Sequence, residues 1–205
     1  EIDDKISFVI KKTEEIMEDS EYQGVRLSLD AYLDKTRIPL KIDISTGDVI
    51  TPCEISFSYQ LMFENRTIPL LAYPPETVLA EKLETILSRG EANTRLRDFY
   101  DVYILQREDF VVTPDALCHA LLATCRKRGH EDLLHTYASI LDRVRQSDTM
   151  RTQWMKYQSD FDYAAGITWD TVLDTVETLC MKTLDDHAFG DELPQEESQF
   201  EMHLL

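Results

Sequence analysis

The chain has 205 residues and a formal net charge of −18, with 21 Lys and Arg against 39 Asp and Glu. An acidic surplus of this size excludes a protein that coats nucleic acid through a generally basic surface, so any RNA contact needs a local patch. No apolar run approaches the roughly 18 residues of a membrane-spanning helix, and no membrane partner is expected. The N-terminus carries no signal-peptide pattern and the four cysteines show no metal-binding spacing, which together predict a cytoplasmic protein.

The first third of the chain has the alternating pattern of β-strands. Apolar residues alternate at residues 6–10, 25–33 and 38–44. This period of two predicts an antiparallel meander with one face buried. A fourth strand is expected around residues 54–59, and an edge segment at 68–73 is stopped by the two prolines that follow it.

From residue 75 onward the apolar residues recur at helical spacing instead. The first predicted helix has Pro75 in its first turn and Gly90 as its C-cap, and the second starts near Asn93 or Thr94. Three more helices are predicted. The third helix starts at Thr113, the fourth covers about residues 148–157, and the fifth runs from Thr168 to about Leu184.

Strands followed by helices predict an α+β chain. The expected domains are a β-rich part at residues 1–72, a helical module at 73–184 and an acidic tail at 185–205. The tail has little apolar content, which is typical of a solvated or partner-bound segment. Because no linker separates the first two parts, we expect them to share an interface with a cleft.

Asp43 breaks the pattern of the third strand. Apolar residues alternate on one side of it, so Asp43 and Lys41 face the other side, where Asp is uncommon. A carboxylate on a rigid strand suits a transferase that binds Mg²⁺ through oxygen ligands. The alternative is a solvated aspartate paired with Lys41 or Arg26.

Lys82 lies on the apolar side of the first predicted helix, between Val78 and Ile86. One interpretation is that its aliphatic stem lies along apolar side chains while the ammonium reaches solvent. The other is that the ammonium ends in a site where it receives an anion such as a triphosphate.

The second helix carries the charged sequence RLRDFYD, from Arg95 to Asp101. Its spacing allows Arg95 to pair with Asp98 and Arg97 with Asp101, and such pairing alone explains the pattern. A short turn joins the first two helices, so an antiparallel hairpin would also bring Lys82 to Asp98.

The Asp-x-Asp pattern at residues 160–162 is assigned to charge pairing or to a helix cap, because a single short pattern is weak evidence for a metal site.

Two stretches together resemble a known family. They are GVRLSLDAYLDKTRIPLKIDISTGDVITP and LLAYPPETVLAEKLETILSRGEANTRLRDFYDVYIL, within residues 20 to 107. They combine KIDI-x-x-GD, a Tyr-Pro-x-Glu-Thr-x4-Lys run and an Arg-x-(Lys/Arg)-Asp-x-x-Asp motif in order. On these motifs the chain resembles the AbiEii/AbiGii-type nucleotidyltransferase toxins of bacterial abortive-infection and toxin–antitoxin systems.

The resemblance implies a partial polymerase-β-like nucleotidyltransferase sheet followed by a helical module. It implies that Asp43 is the third acidic residue of the catalytic sheet and binds Mg²⁺, and that Lys82 and Asp98 are catalytic. The implied nucleotide-binding residues are Thr77, Lys82, Arg95, Arg97 and Asp101. Arg97 stands where the family often has Lys, which keeps the charge and changes its geometry.

The chain departs from the family pattern at its start. The Gly-Ser turn and Asp-x-Asp that supply the first two carboxylates are missing from the sequence. Two-metal transfer requires several carboxylates, so we expect this chain to be the later part of a larger enzyme and inactive by itself.

The resemblance implies an NTP as donor, an acceptor of the tRNA class and a cognate antitoxin as partner. The alternative is a non-catalytic module that binds an antitoxin or another partner through its acidic surface. We further expect Asp43, Lys82 and Asp98 to face one cleft, because each of them violates its own local pattern.

Overall fold

A computed structural model describes residues 5–16, 24–107 and 112–185 of the chain. It divides the chain into two compact units, Glu1–Ile50 and Thr51–Leu205. Strands precede helices, so the predicted α+β class is confirmed. The predicted acidic tail lies outside the described residues from residue 186 onward. Within the described ranges, none of the helices combines the length and the hydropathy needed to span a bilayer.

The first unit contains an antiparallel meander. Its strands are β1 (Ile6–Ile16), β2 (Gly24–Leu33) and β3 (Thr36–Ser45), with β2 in the middle. Asp34 adopts a φ of 52° in the two-residue loop between β2 and β3, a left-handed conformation that Asp tolerates better than most residues. The meander agrees with the sequence prediction.

The expectation of a buried apolar face on this sheet is wrong. The apolar residues do share one face, since Leu27 pairs with Ile42 and Leu29 with Leu40 across β2 and β3. Their outer members remain in contact with solvent, with Phe8 63% and Ile42 47% exposed. A single layer of three strands buries only its centre, here Leu29, unless a second layer covers it.

The second unit begins with a hairpin of β4 (Ile55–Gln60) and β5 (Thr67–Ala72), which pair antiparallel in a sheet of their own. Both strands lie where the sequence predicted them. The rest of this unit is helical. The helices are α1 (Pro75–Arg89), α2 (Leu96–Leu105), α3 (Pro114–Lys127), α4 (Leu133–Gln146), α5 (Asp148–Asp160) and α6 (Trp169–Leu184).

Several helix ends follow the capping residues in the sequence. The hydroxyl groups of Thr113 and Thr168 each accept a hydrogen bond from a backbone N–H in the first turn of α3 and α6. Gly90 ends α1 with a φ of 49°. The predicted start of α2 is wrong, because the side chain of Asn93 accepts the N–H of Arg95 at 2.7 Å in a turn that precedes the helix.

Helix α4 was absent from the sequence prediction. Its buried residues Leu134, Ile140, Leu141 and Val144 have helical spacing, which is the signal that could have identified it. Its start lacks a side-chain cap, because Asp132 accepts no backbone hydrogen bond there. Without a capping residue to mark its beginning, the segment resembled the loop before it.

The core of the second unit lies between the helices and fixes the first two of them. Leu79, Leu83 and Ile86 of α1 are fully buried. On α2, Phe99 is fully buried and packs on Trp169 with ring centroids 5.1 Å apart. This packing fixes the backbones of α1 and α2, and with them the positions from which their polar side chains extend.

Candidate functional site

An open cavity of about 650 Å³ lies within the second unit and is lined by residues from α1, the start of α2 and α5. This volume is within the range of roughly 300–1,000 Å³ that small-molecule sites usually have. Five of the site residues that the resemblance implied line it. They are Lys82, Arg95, Arg97, Asp98 and Asp101.

Lys82 is held by two aspartates of α2. Its Nζ donates to Asp98 Oδ1 at 2.7 Å and lies 2.9 Å from Asp101 Oδ2. The side chain of Asp98 is 2% exposed and that of Lys82 is 23% exposed. Burial lowers the pKa of Lys82, but the hydrogen bonds to Asp98 and Asp101 outweigh it and raise the pKa above its ordinary value. The ammonium therefore stays charged, and the predicted contact between Lys82 and Asp98 is present.

The two arginines pair as their spacing predicts. Arg95 Nε lies 3.1 Å from Asp98 Oδ2, and Arg97 Nε lies 3.7 Å from Asp101 Oδ1. The Arg95 contact is an ion pair without hydrogen-bond alignment, since Oδ2 of Asp98 has no hydrogen-bond partner within the described part of the chain. Both guanidinium groups are largely exposed, so they add positive charge to the rim of the cavity.

The other side of the cavity was missed by the sequence analysis. It is formed by Gln153, Lys156, Tyr157 and Asp160 of α5 and by Phe161 directly after it, and we call these residues the α5 wall. The signal was their spacing, since positions i, i+3, i+4, i+7 and i+8 share one face of a helix. The predicted helix ended too early for this face to be recognised.

Asp43 belongs to the first unit, where it pairs with Arg26 across β2 and β3. Arg26 Nε donates to one carboxylate oxygen at 2.6 Å and Nη2 to the other at 2.7 Å. The structure thus shows one of the two pairings that the sequence left open for this residue. That Asp43 also shares a cleft with Lys82 and Asp98 stays a prediction.

The contact with Arg26 predicts a lowered pKa for the Asp43 carboxyl. The hydrogen bonds from Arg26 lower the pKa of this carboxyl below its ordinary value of 3.8, although partial burial opposes the shift. Because the pKa is lowered in the folded state, the pairing contributes stability at pH values above the unfolded-state pKa. This stability is lost as the pH falls through the folded-state pKa. We expect a carboxyl NMR titration of Asp43 to have its midpoint below 3.8.

The variant Arg26→Ala should raise that midpoint. Arg66→Ala is the matched control, because Arg66 pairs with Glu64 in the other unit. A midpoint in the unsubstituted protein that Arg26→Ala leaves unchanged would contradict the assigned cause.

Thr77 is buried near the start of α1. Its hydroxyl donates to the backbone oxygen of Thr51 at 3.0 Å and accepts the N–H of the same residue at 2.9 Å. This pair of hydrogen bonds ties α1 to the segment before β4. The role of Thr77 at a nucleotide stays a prediction.

The described carboxylates do not make up the Mg²⁺ site that the resemblance implies. Within residues 5–16, 24–107 and 112–185, no group of three His, Cys, Asp or Glu side chains is placed to hold a metal ion. In the cavity Asp98 and Asp101 are held by Lys82, and in the sheet both oxygens of Asp43 are held by Arg26. The carboxylates that the structure describes therefore do not fit a two-metal centre.

A comparison with known protein families agrees with the motifs. No curated protein and no solved structure matched the chain. A family model described as "Nucleotidyl transferase AbiEii toxin, Type IV TA system" matches residues 1–175. The match extends beyond the resemblance at residues 20–107 in both directions and covers most of the chain. This chain is therefore a member of the AbiEii family of nucleotidyltransferase toxins.

Proposed function

We propose that this chain binds the phosphates of an NTP at Lys82 and takes part in transferring its nucleotide to an RNA acceptor of the tRNA class. Family membership implies a nucleotide substrate, an antitoxin and a toxin of a type IV toxin–antitoxin system. The observation that carries the site is the Lys82 ammonium, which two aspartates hold at the edge of a cavity.

The geometry suits Lys82 for binding a phosphate oxygen. An ammonium has three N–H groups, and Asp98 and Asp101 accept two of them. The third remains for a ligand in the cavity. The two carboxylates fix the direction of the ammonium and keep it protonated, so little reorganisation is needed when an anion binds.

The arginines supply the charge that this arrangement needs. Lys82 with two aspartates carries a net negative charge, which would repel a triphosphate. Arg95 and Arg97 reverse that sign at the rim of the cavity. Guanidinium groups also bind phosphate oxygens through paired N–H groups, which favours a phosphate over other anions.

In the transfer reaction an acceptor hydroxyl attacks the α-phosphorus of the NTP and pyrophosphate leaves. Negative charge on the phosphate oxygens is stabilised by cations that are already in place. Lys82, Arg95 and Arg97 would stabilise that charge, and Asp98 would position Lys82. Nucleotidyltransferases generally use a divalent cation, and the described donors do not form its site.

The experiment is a transfer assay with the protein produced from its complete gene. Each of four NTPs labelled at the α-phosphate is incubated with the protein and tRNA, and products are separated by size. We expect label in tRNA with at least one NTP. Label found only in protein would contradict the RNA acceptor, and no label in any product would contradict the transfer activity.

A further inference from the structure

The α5 wall is not used by the phosphate-binding proposal. Its residues line the same cavity as the phosphate-binding residues, and they combine an amide, a cation and two aromatic rings on one helix face. Such a combination matches the parts of a nucleotide other than its triphosphate.

The aromatic rings form a supported platform. Tyr157 and Phe161 have centroids 4.7 Å apart, and Phe161 lies 5.3 Å from Tyr163. The hydroxyl groups of Tyr157 and Tyr163 are 2.9 Å apart, and Tyr157 stacks on Trp154 at 5.3 Å. Phe161 is nevertheless 41% exposed. A rigid ring that reaches solvent beside a cavity is suited to stacking on a flat ligand.

Gln153 adds a group that can recognise a base edge. Its Oε1 is buried and has no hydrogen-bond partner among the residues that the structure describes. A buried acceptor without a donor is costly, and a turn of the Gln153 side chain toward the cavity that it lines would let a ligand N–H group remove that cost. Every nucleobase offers an N–H group on its Watson–Crick edge.

We propose that Gln153, Tyr157 and Phe161 form a nucleobase subsite, in which the base stacks on Phe161 and donates to Gln153. This inference rests on the proposed function, because the base would bind in the same cavity as the phosphate that Lys82 receives. The base belongs either to the incoming NTP or to the acceptor nucleotide, and both have the same chemistry.

The charges on this side of the cavity are compatible with the proposal. Lys156 is exposed and has no ion pair within the described ranges, and Arg97 has only a long contact of 3.7 Å to Asp101. Both cations line the cavity and can meet phosphates or ribose oxygens next to the bound base. Asp160 on the same face is the one carboxylate that this wall adds.

The test is isothermal titration calorimetry on the protein from its complete gene. Phe161→Leu removes the aromatic face and keeps most of the apolar volume, and we expect it to weaken nucleotide binding about tenfold or more. Phe161→Tyr restores a ring and should bind like the unsubstituted protein. Met155→Ala is the matched control, because Met155 is exposed on α5 and does not line the cavity.

Inorganic triphosphate separates this inference from the proposed function. It carries the phosphates without a base, so its binding should be weakened by Lys82→Gln and unchanged by Phe161→Leu. If triphosphate binding depends on Lys82 while no nucleotide depends on Phe161, the base subsite is refuted and the phosphate site stands. If triphosphate binding is unaffected by Lys82→Gln, the proposed function itself fails.

Two ligands distinguish the sources of the base. The four NTPs represent the donor, and a short single-stranded RNA with a free 3′ hydroxyl represents the acceptor. Weaker binding of either ligand to Phe161→Leu supports the subsite and identifies its occupant. Gln153→Ala should weaken the binding of each nucleotide and leave the binding of inorganic triphosphate unchanged, whereas the loss of a merely structural glutamine would affect both kinds of ligand alike. If both ligands bind to Phe161→Leu and to Gln153→Ala as tightly as to the unsubstituted protein, the inference is overturned.

Discussion

Replacing Asp98 by asparagine should reduce nucleotide transfer by the complete protein by about a hundredfold or more, and remove its toxicity in a producing cell. Asparagine has nearly the same volume and can still accept a hydrogen bond from Lys82. It lacks the charge that keeps the ammonium fixed and protonated at 2.7 Å. Transfer of labelled nucleotide to RNA and growth of the producing cell are the two measurements.

The control for this variant is Asp170→Asn. Asp170 pairs with Arg151 on the surface at 3.5 Å and does not line the cavity, so its loss should leave transfer unchanged. Thermal unfolding distinguishes a structural role of Asp98 from its proposed role in positioning Lys82. If Asp98→Asn lowers the melting temperature while each folded molecule keeps full activity, the pair with Lys82 is structural and the proposed role is wrong.

Replacing Trp154 by alanine should lower the free energy of unfolding of the helical unit by about 3–5 kcal/mol. Trp154 is fully buried, its ring lies 5.9 Å from that of Trp169, and its indole N–H donates to the backbone oxygen of Ile167 at 2.8 Å. Alanine leaves a large cavity among these groups. Chemical denaturation followed by circular dichroism at the helical signal gives the difference.

The matched variant is again Met155→Ala, one residue further along α5 and exposed. It should change the free energy of unfolding by no more than about 0.5 kcal/mol. If both variants gave the same small change, α5 would not be packed through Trp154 and the α5 wall would lack the support described for it.

The sequence predicted the contacts that depend on local spacing. Arg95 and Asp98 lie one helical turn apart, so helical periodicity predicted their pairing. One short turn separates α1 from α2, so an antiparallel hairpin predicted the contact between Lys82 and Asp98. The α5 wall could not be predicted in this way. Its residues lie more than fifty positions after Asp98 in the chain, and only the packing of helices brings the two groups to one cavity.

Burial of the sheet is a different case. Alternation along β3 correctly assigned Ile38 and Ile42 to one face, because side chains alternate with a period of two. The period says which residues share a face and contains no information about what covers that face. Asp43 shows a similar limit, since its pairing with Arg26 depends on the register between β2 and β3.

The positions of the two tryptophans determine what intrinsic fluorescence can report. The chain has two, Trp154 and Trp169, and both lie in the helical unit. Residues 1–50 contain no tryptophan, so tryptophan emission does not report on the sheet of β1, β2 and β3. A single sharp fluorescence transition would therefore describe the helical unit and could not establish two-state unfolding of the whole chain. Conversely, Trp154 stacks on Tyr157 of the α5 wall, which makes the same emission a natural probe of ligands entering the cavity.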